Sequence, residues 1–396
     1  MKYELLAPAG NLEKAFIALR YGADAVYVGG KKFSLRARAS NFEIEDIREL
    51  CAFAKSLNKR VYVTMNIIPH DSDFDGLEEY LLDLNDCGVD AIIVSSPYII
   101  EKAKELVPNI EIHISTQTSI TNVNTINYYA SMGAKRVVLA REVTLEEMKL
   151  IKSKTKMPLE VFIHGGMCVS YSGRCVLSNH MTLRDANRGG CAHSCRWNYT
   201  LNDGSDLEKF YNMGSKDLMA IDYIPYLIDL GIESFKIEGR MKSSYYLATV
   251  VRAYRMVIDC YLKNGKITET ELEEFKQEIK KAENRQTYIG FYNGLPGVCG
   301  HLYDNRSEIP TKEYVGYVMD YNEETKIALI EQRNYFTPGA TLEFFGPNLA
   351  NTTYQIDKII SHDDKTELDA ARHPLQLLEI YVPFKLSKHD MVRLKN

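Results

Sequence analysis

Residues 5–28, LLAPAGNLEKAFIALRYGADAVYV, carry the pattern that decides the fold. Leu5–Ala7 and Ala25–Val28 are short β-rich runs; Asn11–Tyr21 between them is amphipathic, with Gly22 where a helix should stop. The same unit returns along the chain. Further strands are expected at Val61–Asn66, Ala91–Ser95, Ile110–Thr116, Arg136–Leu139, Leu159–His164 and Ser234–Glu238. Amphipathic stretches at Glu43–Leu57, Phe74–Cys87, Thr121–Met132 and Thr144–Lys154 alternate with them, and Gly88, Gly133 and Gly231 mark helix ends. Strands alternating with helices predict a parallel sheet with right-handed crossovers. Eight such units predict an α/β fold closed as a (β/α)8 TIM-like barrel. An open doubly wound sheet is the alternative, with no GxGxxG at the first helix to support it.

One crossover is far longer than the rest. Residues 165–233 separate the seventh strand from the eighth, and the first half of that insertion reads GGMCVSYSGRCVLSNHMTLRDANRGGCAHSCRW. It holds Cys168, Cys175, Cys191 and Cys195, four of the eight cysteines, spaced C-x6-C, fifteen residues, C-x3-C. Soft thiolates so arranged suit zinc or an iron–sulfur cluster. Zinc sites usually show C-x2–4-C in both halves, and the first gap is wide for that. Paired disulfides need an oxidising compartment, which nothing else in the chain suggests. An iron–sulfur cluster is the reading that the spacing favours, with structural zinc as the alternative. Barrel chemistry sits at the C-terminal ends of the strands, so a cysteine-rich insertion after strand seven is expected at the mouth. Cys51 and Cys87 fall within helical patterns and read as small buried hydrophobes.

The 396 residues are 45% hydrophobic and 26% charged, with a net charge of −5. That suffices for a large core and a second domain. It excludes a global nucleic-acid footprint, so any such contact must come from a local patch. No apolar run reaches the roughly 18 residues of a membrane span, and MKYELLAPAG enters a strand directly. A cytoplasmic protein with reduced thiols and no membrane partner is expected. Met241–Lys263 and Glu271–Asn284 read as helices that complete a barrel domain at 1–286. Residues 287–312, rich in Gly, Pro, Asn and Tyr, read as a linker. Short alternating strands then fill 313–396: Tyr314–Asp320, Lys326–Ile330, Ala340–Phe345, Tyr354–Ile360, Glu379–Phe384 and Met391–Leu394. They predict a small antiparallel β-barrel.

Strand parity selects the residues that line the mouth. Lys236 and Glu238 share one face of strand eight; His113, Ser115 and Gln117 share one face of strand five. Thr64 and Asn66 lie on strand three, and strand six ends in Arg141-Glu142. Buried charge needs a partner or a ligand, so Lys236 and Glu238 either pair with each other or with Arg240, or serve a substrate. Lys236, Glu238, His113 and Arg141 are the catalytic candidates, with a satisfied core histidine as the alternative for His113. Lys31, Lys32, Arg36 and Arg38 meet no acid before Glu43, and Arg174, Arg184, Arg188 and Arg196 face Asp185 alone. The mouth therefore reads as basic in an acidic protein, which suits RNA or a small dicarboxylate. Arg36, Arg38, Asn66, Gln117, Arg188 and Arg240 are the substrate-binding candidates.

Glu160, Phe162, Gly165, Cys168, Gly173, Cys175 and Ser178 fall in an order and spacing that resembles the signature of peptidase family U32. KDL at Lys216–Leu218, KIEGRMKS at Lys236–Ser243 and NRQTYIGFYNG at Asn284–Gly294 resemble further motifs of that family, so the likeness covers nearly the whole chain. The resemblance implies an iron–sulfur protein, with a 4Fe-4S cluster on Cys168, Cys175, Cys191 and Cys195. Members of this kind hydroxylate tRNA, ribosomal RNA or a quinone precursor without molecular oxygen. A barrel followed by a small β-domain is most similar to the tRNA-hydroxylation branch. That branch makes 5-hydroxyuridine at the wobble position and depends on prephenate, a dicarboxylate, as co-substrate. The family name keeps a collagenase-like peptidase as an alternative. Without HExxH or GxSxG, such an enzyme would rest on Cys168 or Cys175 as nucleophile with His164. A binding protein whose cluster only holds its loop together is a third reading. The oligomeric state is not legible.

Overall fold

The computed structural model describes residues 3–35, 41–200, 210–283, 285–303 and 314–395. Eight strands form the barrel: β1 (Glu4–Pro8), β2 (Ala25–Gly29), β3 (Arg60–Met65), β4 (Ala91–Val94), β5 (Glu111–Ile114), β6 (Arg136–Val138), β7 (Leu159–Gly165) and β8 (Ser234–Ile237). Each lies parallel to the next, and β8 pairs with both β7 and β1, closing the ring. All eight expected strands are present within two residues of their expected ends. The fifth stops early because Ser115 leaves the strand to cap a one-turn 3-10 helix, its hydroxyl accepting from Gln117 N at 3.2 Å.

Helices α1 (Leu12–Arg20), α2 (Ile44–Ser56), α3 (Leu77–Cys87), α4 (Pro97–Leu106), α5 (Val123–Ser131) and α6 (Leu145–Lys154) fill the crossovers. Asn11 caps α1, and Thr144 with Glu147 forms a capping box on α6. Helix α3 begins later than its apolar pattern suggests, since Gly76 at φ 76° separates it from a 3-10 turn at Asp71–Phe74. Helix α4 was not expected. Only Ile99, Ile100 and Ala103 are buried on it, too few apolar residues to show a period. The insertion adds α7 (Leu177–Thr182) and α8 (Ile224–Asp229); α9 (Ser244–Asn264) and α10 (Glu269–Lys280) follow β8. No helix among the described residues is long and apolar enough to cross a membrane.

The barrel lumen is built in two kinds of material. Leu6, Ala25, Tyr27, Tyr62, Ala91 and Ile93 form an apolar cluster inside it. Beside them lies a buried charge network. Lys236 Nζ donates to Glu160 Oε1 at 2.7 Å, and Arg136 donates to both Glu160 and Glu4. Ser234 Oγ bridges the two carboxylates at 3.0 and 3.1 Å, and the Tyr62 hydroxyl donates to Glu4. Two carboxylates face two cations, so the charge balances and nearly every lone pair is used. Burial alone would push the Glu160 carboxyl up; Lys236 and Arg136 outweigh it and hold the group at about 2. Burial pulls the Lys236 ammonium down, and Glu160 opposes that pull.

Eight short strands make the C-terminal domain: β9 (Tyr314–Asn322), β10 (Ile327–Gln332), β11 (Thr341–Phe345), β12 (Thr352–Gln355), β13 (Ile359–Ser361), β14 (Glu367–Leu368), β15 (Leu377–Tyr381) and β16 (Met391–Leu394). They form one antiparallel sheet in the order β12-β11-β16-β9-β10-β15-β13-β14, a half-barrel curled over its own core of residues such as Val315, Ile330, Phe344 and Leu378. The expected single strand Tyr354–Ile360 is two strands, because Thr352–Gln355 pairs with β11 whereas Ile359–Ser361 pairs with β14 and β15. The stretch expected as a linker is, as far as Tyr303, part of the barrel domain. Thr287–Tyr288 pairs with Asp217–Met219, the Tyr292 hydroxyl donates to Phe162 O at 2.9 Å, and Leu302 is buried. The remainder of that stretch lies outside the described residues.

The two domains meet on a charged joint. Arg393 from β16 donates to Glu343 at 2.6 Å and to Glu278 of α10 at 2.9 Å, while Tyr245 stacks on Tyr314 at 4.7 Å. Burial raises Glu343, but Arg393 outweighs it and holds the carboxyl at about 2. Folding lowers this pKa below the roughly 4.3 of a free glutamate, so its stabilisation is complete above that value and fades as pH falls toward 2. Glu160 behaves alike. Thermal midpoints should therefore fall between about pH 4.3 and 2. Arg393→Met should flatten the part of that dependence which comes from the joint, as read by circular dichroism.

Candidate active site at the barrel mouth

The first half of the insertion is pinned to the C-terminal ends of the strands at several points. Ser172 N and Oγ donate to Glu142 at 3.0 and 2.8 Å, just after β6. Gly173, at φ 73°, lies so close to the turn after β5 that a Cβ there would stand 2.1 Å from Gln117 O. Only glycine fits that approach. Further along the same half, Arg188 grips Asp73 with both terminal nitrogens and also donates to Ile68 O at 3.0 Å, while inside the insertion Asn187 Nδ2 donates to Cys175 O at 2.8 Å. Met213 N donates to Cys195 O at 2.8 Å and holds the last cysteine.

These ties enclose a cavity of ≈ 250 Å³. Cys168, Cys175, Cys191 and Cys195 all line it, and none of the four is in a disulfide. Lys236, Glu238, Arg141, Asn66, Gln117 and Arg240 line it as well. Cys51, Cys87, Cys260 and Cys299 do not; Cys51 and Cys87 are buried in the helical layer. Burial raises the Cys195 thiol to about 11, and the other three cysteines push the same way. Desolvation at the cavity wall raises the Cys168 thiol as well, although its side chain is exposed, and Cys175 and Cys191 add to the rise. Thiolates gathered on one wall repel one another, and a cation between them relieves that repulsion. Among the described residues no three His, Cys, Asp or Glu side chains stand at the spacing of a single ion. Four cysteine sulfurs on one cavity are the donor type that an iron–sulfur cluster or a structural zinc takes.

The other walls carry charge. The Arg141 guanidinium lies 3.8 Å from the centre of the Phe162 ring, with no acidic partner among the described residues. Gly166 N donates to Glu238 Oε2 at 3.0 Å. Asn66 bridges Leu35 N and Ser115 Oγ, both at 3.3 Å. Three residues absent from the sequence-based candidates also belong here. The buried Asp217 carboxylate gathers Arg285 at 3.2 Å, Lys242 at 3.7 Å and Arg196 at 3.8 Å, and all three cations line the cavity. Asp217, Lys242 and Arg285 each stand inside a motif quoted above (KDL, KIEGRMKS, NRQTYIGFYNG). That was the available signal. His193 lines the cavity beside the thiols, the one imidazole to do so among the described residues.

Several sequence-based candidates are placed elsewhere or already engaged. His113 is fully buried below the cavity, its Nε2 3.0 Å from Glu111 and its ring edge-on to Tyr62. It is a core histidine, because β5 runs upward and His113 lies one layer beneath Ser115. Arg240 is a latch. It donates to Ser34 Oγ, Leu35 O and Asn41 Oδ1 at 2.9, 3.0 and 2.7 Å, fastening the loop after β2. Arg188 is spent on Asp73, and Lys31 pairs with Glu43. The basic mouth is thus less basic than its sequence. Arg36 and Arg38 lie outside the described residues. His164, the base of the peptidase alternative, packs against Tyr246 and Tyr254 and does not line the cavity. Burial drives its imidazole down to about 3. Removing the Arg188 clamp should cost about 1.5–3 kcal/mol, read as faster proteolysis within residues 176–190. Asp73→Asn should reproduce it.

The sequence pattern of Peptidase family U32 matches residues 10–301, and that of the Peptidase family U32 C-terminal domain matches residues 310–393. The chain belongs to peptidase family U32. Within this family it is 46% identical to tRNA hydroxylation protein P1 of Bacillus subtilis, over 99% of this chain and 94% of that protein. It is 39% identical to the 23S rRNA 5-hydroxycytidine C2501 synthase of Escherichia coli, over 66% of this chain and 40% of that one. It is also 30% identical to a protein named collagenase from Porphyromonas gingivalis, over 97% of this chain and 95% of that one.

Proposed function

We propose that this U32 protein hydroxylates RNA, forming 5-hydroxyuridine at the wobble position of tRNA, independently of molecular oxygen and with prephenate as co-substrate. The observation that carries the reading is the convergence of four thiols with cationic groups on one cavity, joined to the end-to-end likeness to a tRNA hydroxylation protein. Cys168, Cys175, Cys191 and Cys195 would hold a 4Fe-4S cluster. Such a cluster supplies electron transfer when bound.

The chain's own residues supply the rest. Arg141, stacked on Phe162, and the cations gathered by Asp217 stand on different walls and suit the two carboxylates of a small dianion. Glu238, held by the Gly166 amide, is the candidate proton acceptor. Lys236 stays with Glu160 and fixes the cavity floor. A thiol peptidase is the poorer fit, because His164 is sequestered and four thiols share the space that one nucleophile needs. The test is mass spectrometry of tRNA nucleosides from cells lacking the gene, with and without a plasmid copy. Loss and restoration of 5-hydroxyuridine derivatives is the expected result. Unchanged nucleosides, with gelatin cleavage by the pure protein, would overturn the proposal.

A further inference from the structure

Some residues lining the cavity are exposed at its rim and take no part in the interactions within. Tyr171, between the first two cysteines, is 51% exposed, and Met241, beyond β8, is 56% exposed. Among the described residues the Tyr171 ring makes no aromatic contact, and its hydroxyl has no hydrogen-bond partner. A single exposed tyrosine is ordinary. This one lines the cavity at the barrel mouth, in a segment with further exposed apolar side chains: Val169, Val176, Met181 and Leu183.

A tight turn ties an arginine to it: Arg174 N donates to Tyr171 O at 3.0 Å. The Arg174 side chain is exposed and, among the described residues, donates only to the neutral Ser119 hydroxyl, at 3.1 Å. Arg184 has no acidic partner among the described residues. The Tyr171 hydroxyl feels the negative charge of Glu142 and Glu147. Both are occupied: Glu142 takes two hydrogen bonds from Ser172, and Glu147 closes the cap of α6 through Thr144. The ring face is left open, with positive charge within one loop of it. An enzyme that acts on a base must take it out of its stack, so the neighbouring nucleotides lie unstacked across the entrance. Aromatic faces with nearby arginines are the usual platform for such bases.

We propose that Tyr171 is the stacking platform for the nucleotide next to the one entering the cavity, with Met241 flanking it on another loop of the rim and Arg174 holding its phosphate. The partner of this rim is unpaired, loop-type RNA. The inference rests on the RNA reading above.

The test uses the anaerobically purified full chain and two fluorescent probes, a short RNA stem-loop with uridine in the loop and a blunt duplex of the same stem. Tyr171→Ala should weaken stem-loop binding roughly five- to a hundredfold, whereas Tyr171→Phe keeps wild-type affinity. Arg174→Ala should lower the salt slope by about one. The duplex should bind weakly and respond to none of the three. Thermal midpoints and metal content should stay at wild-type values in every variant. Wild-type affinity in Tyr171→Ala, or an equal loss in Tyr171→Phe, would overturn the platform while tight stem-loop binding by the wild type leaves the RNA reading standing. A wild-type protein that ignores both RNAs and binds denatured collagen through Tyr171 would overturn both.

Discussion

Glu160→Gln should cost the barrel about 3–5 kcal/mol of stability. Glu160 is fully buried and is the acceptor shared by Lys236, Arg136 and Ser234. Glutamine keeps the shape but removes the charge, leaving Lys236 and Arg136 with Glu4 as their one buried counter-charge. The loss is large because desolvated cations remain, not because the pair itself is worth that much. The double exchange Glu160→Gln/Lys236→Met should therefore recover part of the deficit, a sign of coupling that independent sites do not show. Denaturant midpoints check it. A single variant as stable as the wild type would mean that the lumen charges do not hold the barrel together.

Cys191→Ala should abolish the hydroxylated uridine in complemented cells, and so should alanine at Cys168, Cys175 or Cys195. All four line the cavity, whereas Cys260 lies on α9 near Glu271 and Asn264, and Cys299 is exposed in a 3-10 turn. Cys260→Ala and Cys299→Ser should keep the modification. The four-to-two division is the informative part. A general need for thiols would not respect the cavity wall. Nucleoside mass spectrometry on the six strains reads it; loss in Cys299→Ser with retention in Cys195→Ala would reassign the ligands.

The barrel was legible because its strands and every barrel helix but α4 leave a recognisable pattern in the sequence, with glycine at several of the stops. Parity on β8 separated Lys236 from Phe235 and Ile237. What parity could not supply is which charges meet. Arg188 and Asp73, or Arg240 and Asn41, are far apart in sequence, and only the folded loops bring them together. Reading them as free cations made the mouth too basic. His113 carried a local signal that was passed over: Glu111, two residues earlier, shares its face of β5 and takes its imidazole. Asp217 stood inside a quoted motif without chemistry attached to it, since a lone acid between Lys216 and Leu218 does not announce three cationic partners. The half-barrel domain was legible as strands, but the partner exchange between β12 and β13 was not.

The proposed chemistry requires the four thiols at the barrel mouth to hold a cluster. The direct measurement is iron, zinc and acid-labile sulfide per chain, with the visible spectrum, on protein purified without oxygen. The expected result is a brown protein with a broad charge-transfer band, iron and sulfide in equal amounts, and loss of both in each of the four cavity cysteine variants. A colourless protein with one zinc per chain and no sulfide would contradict it.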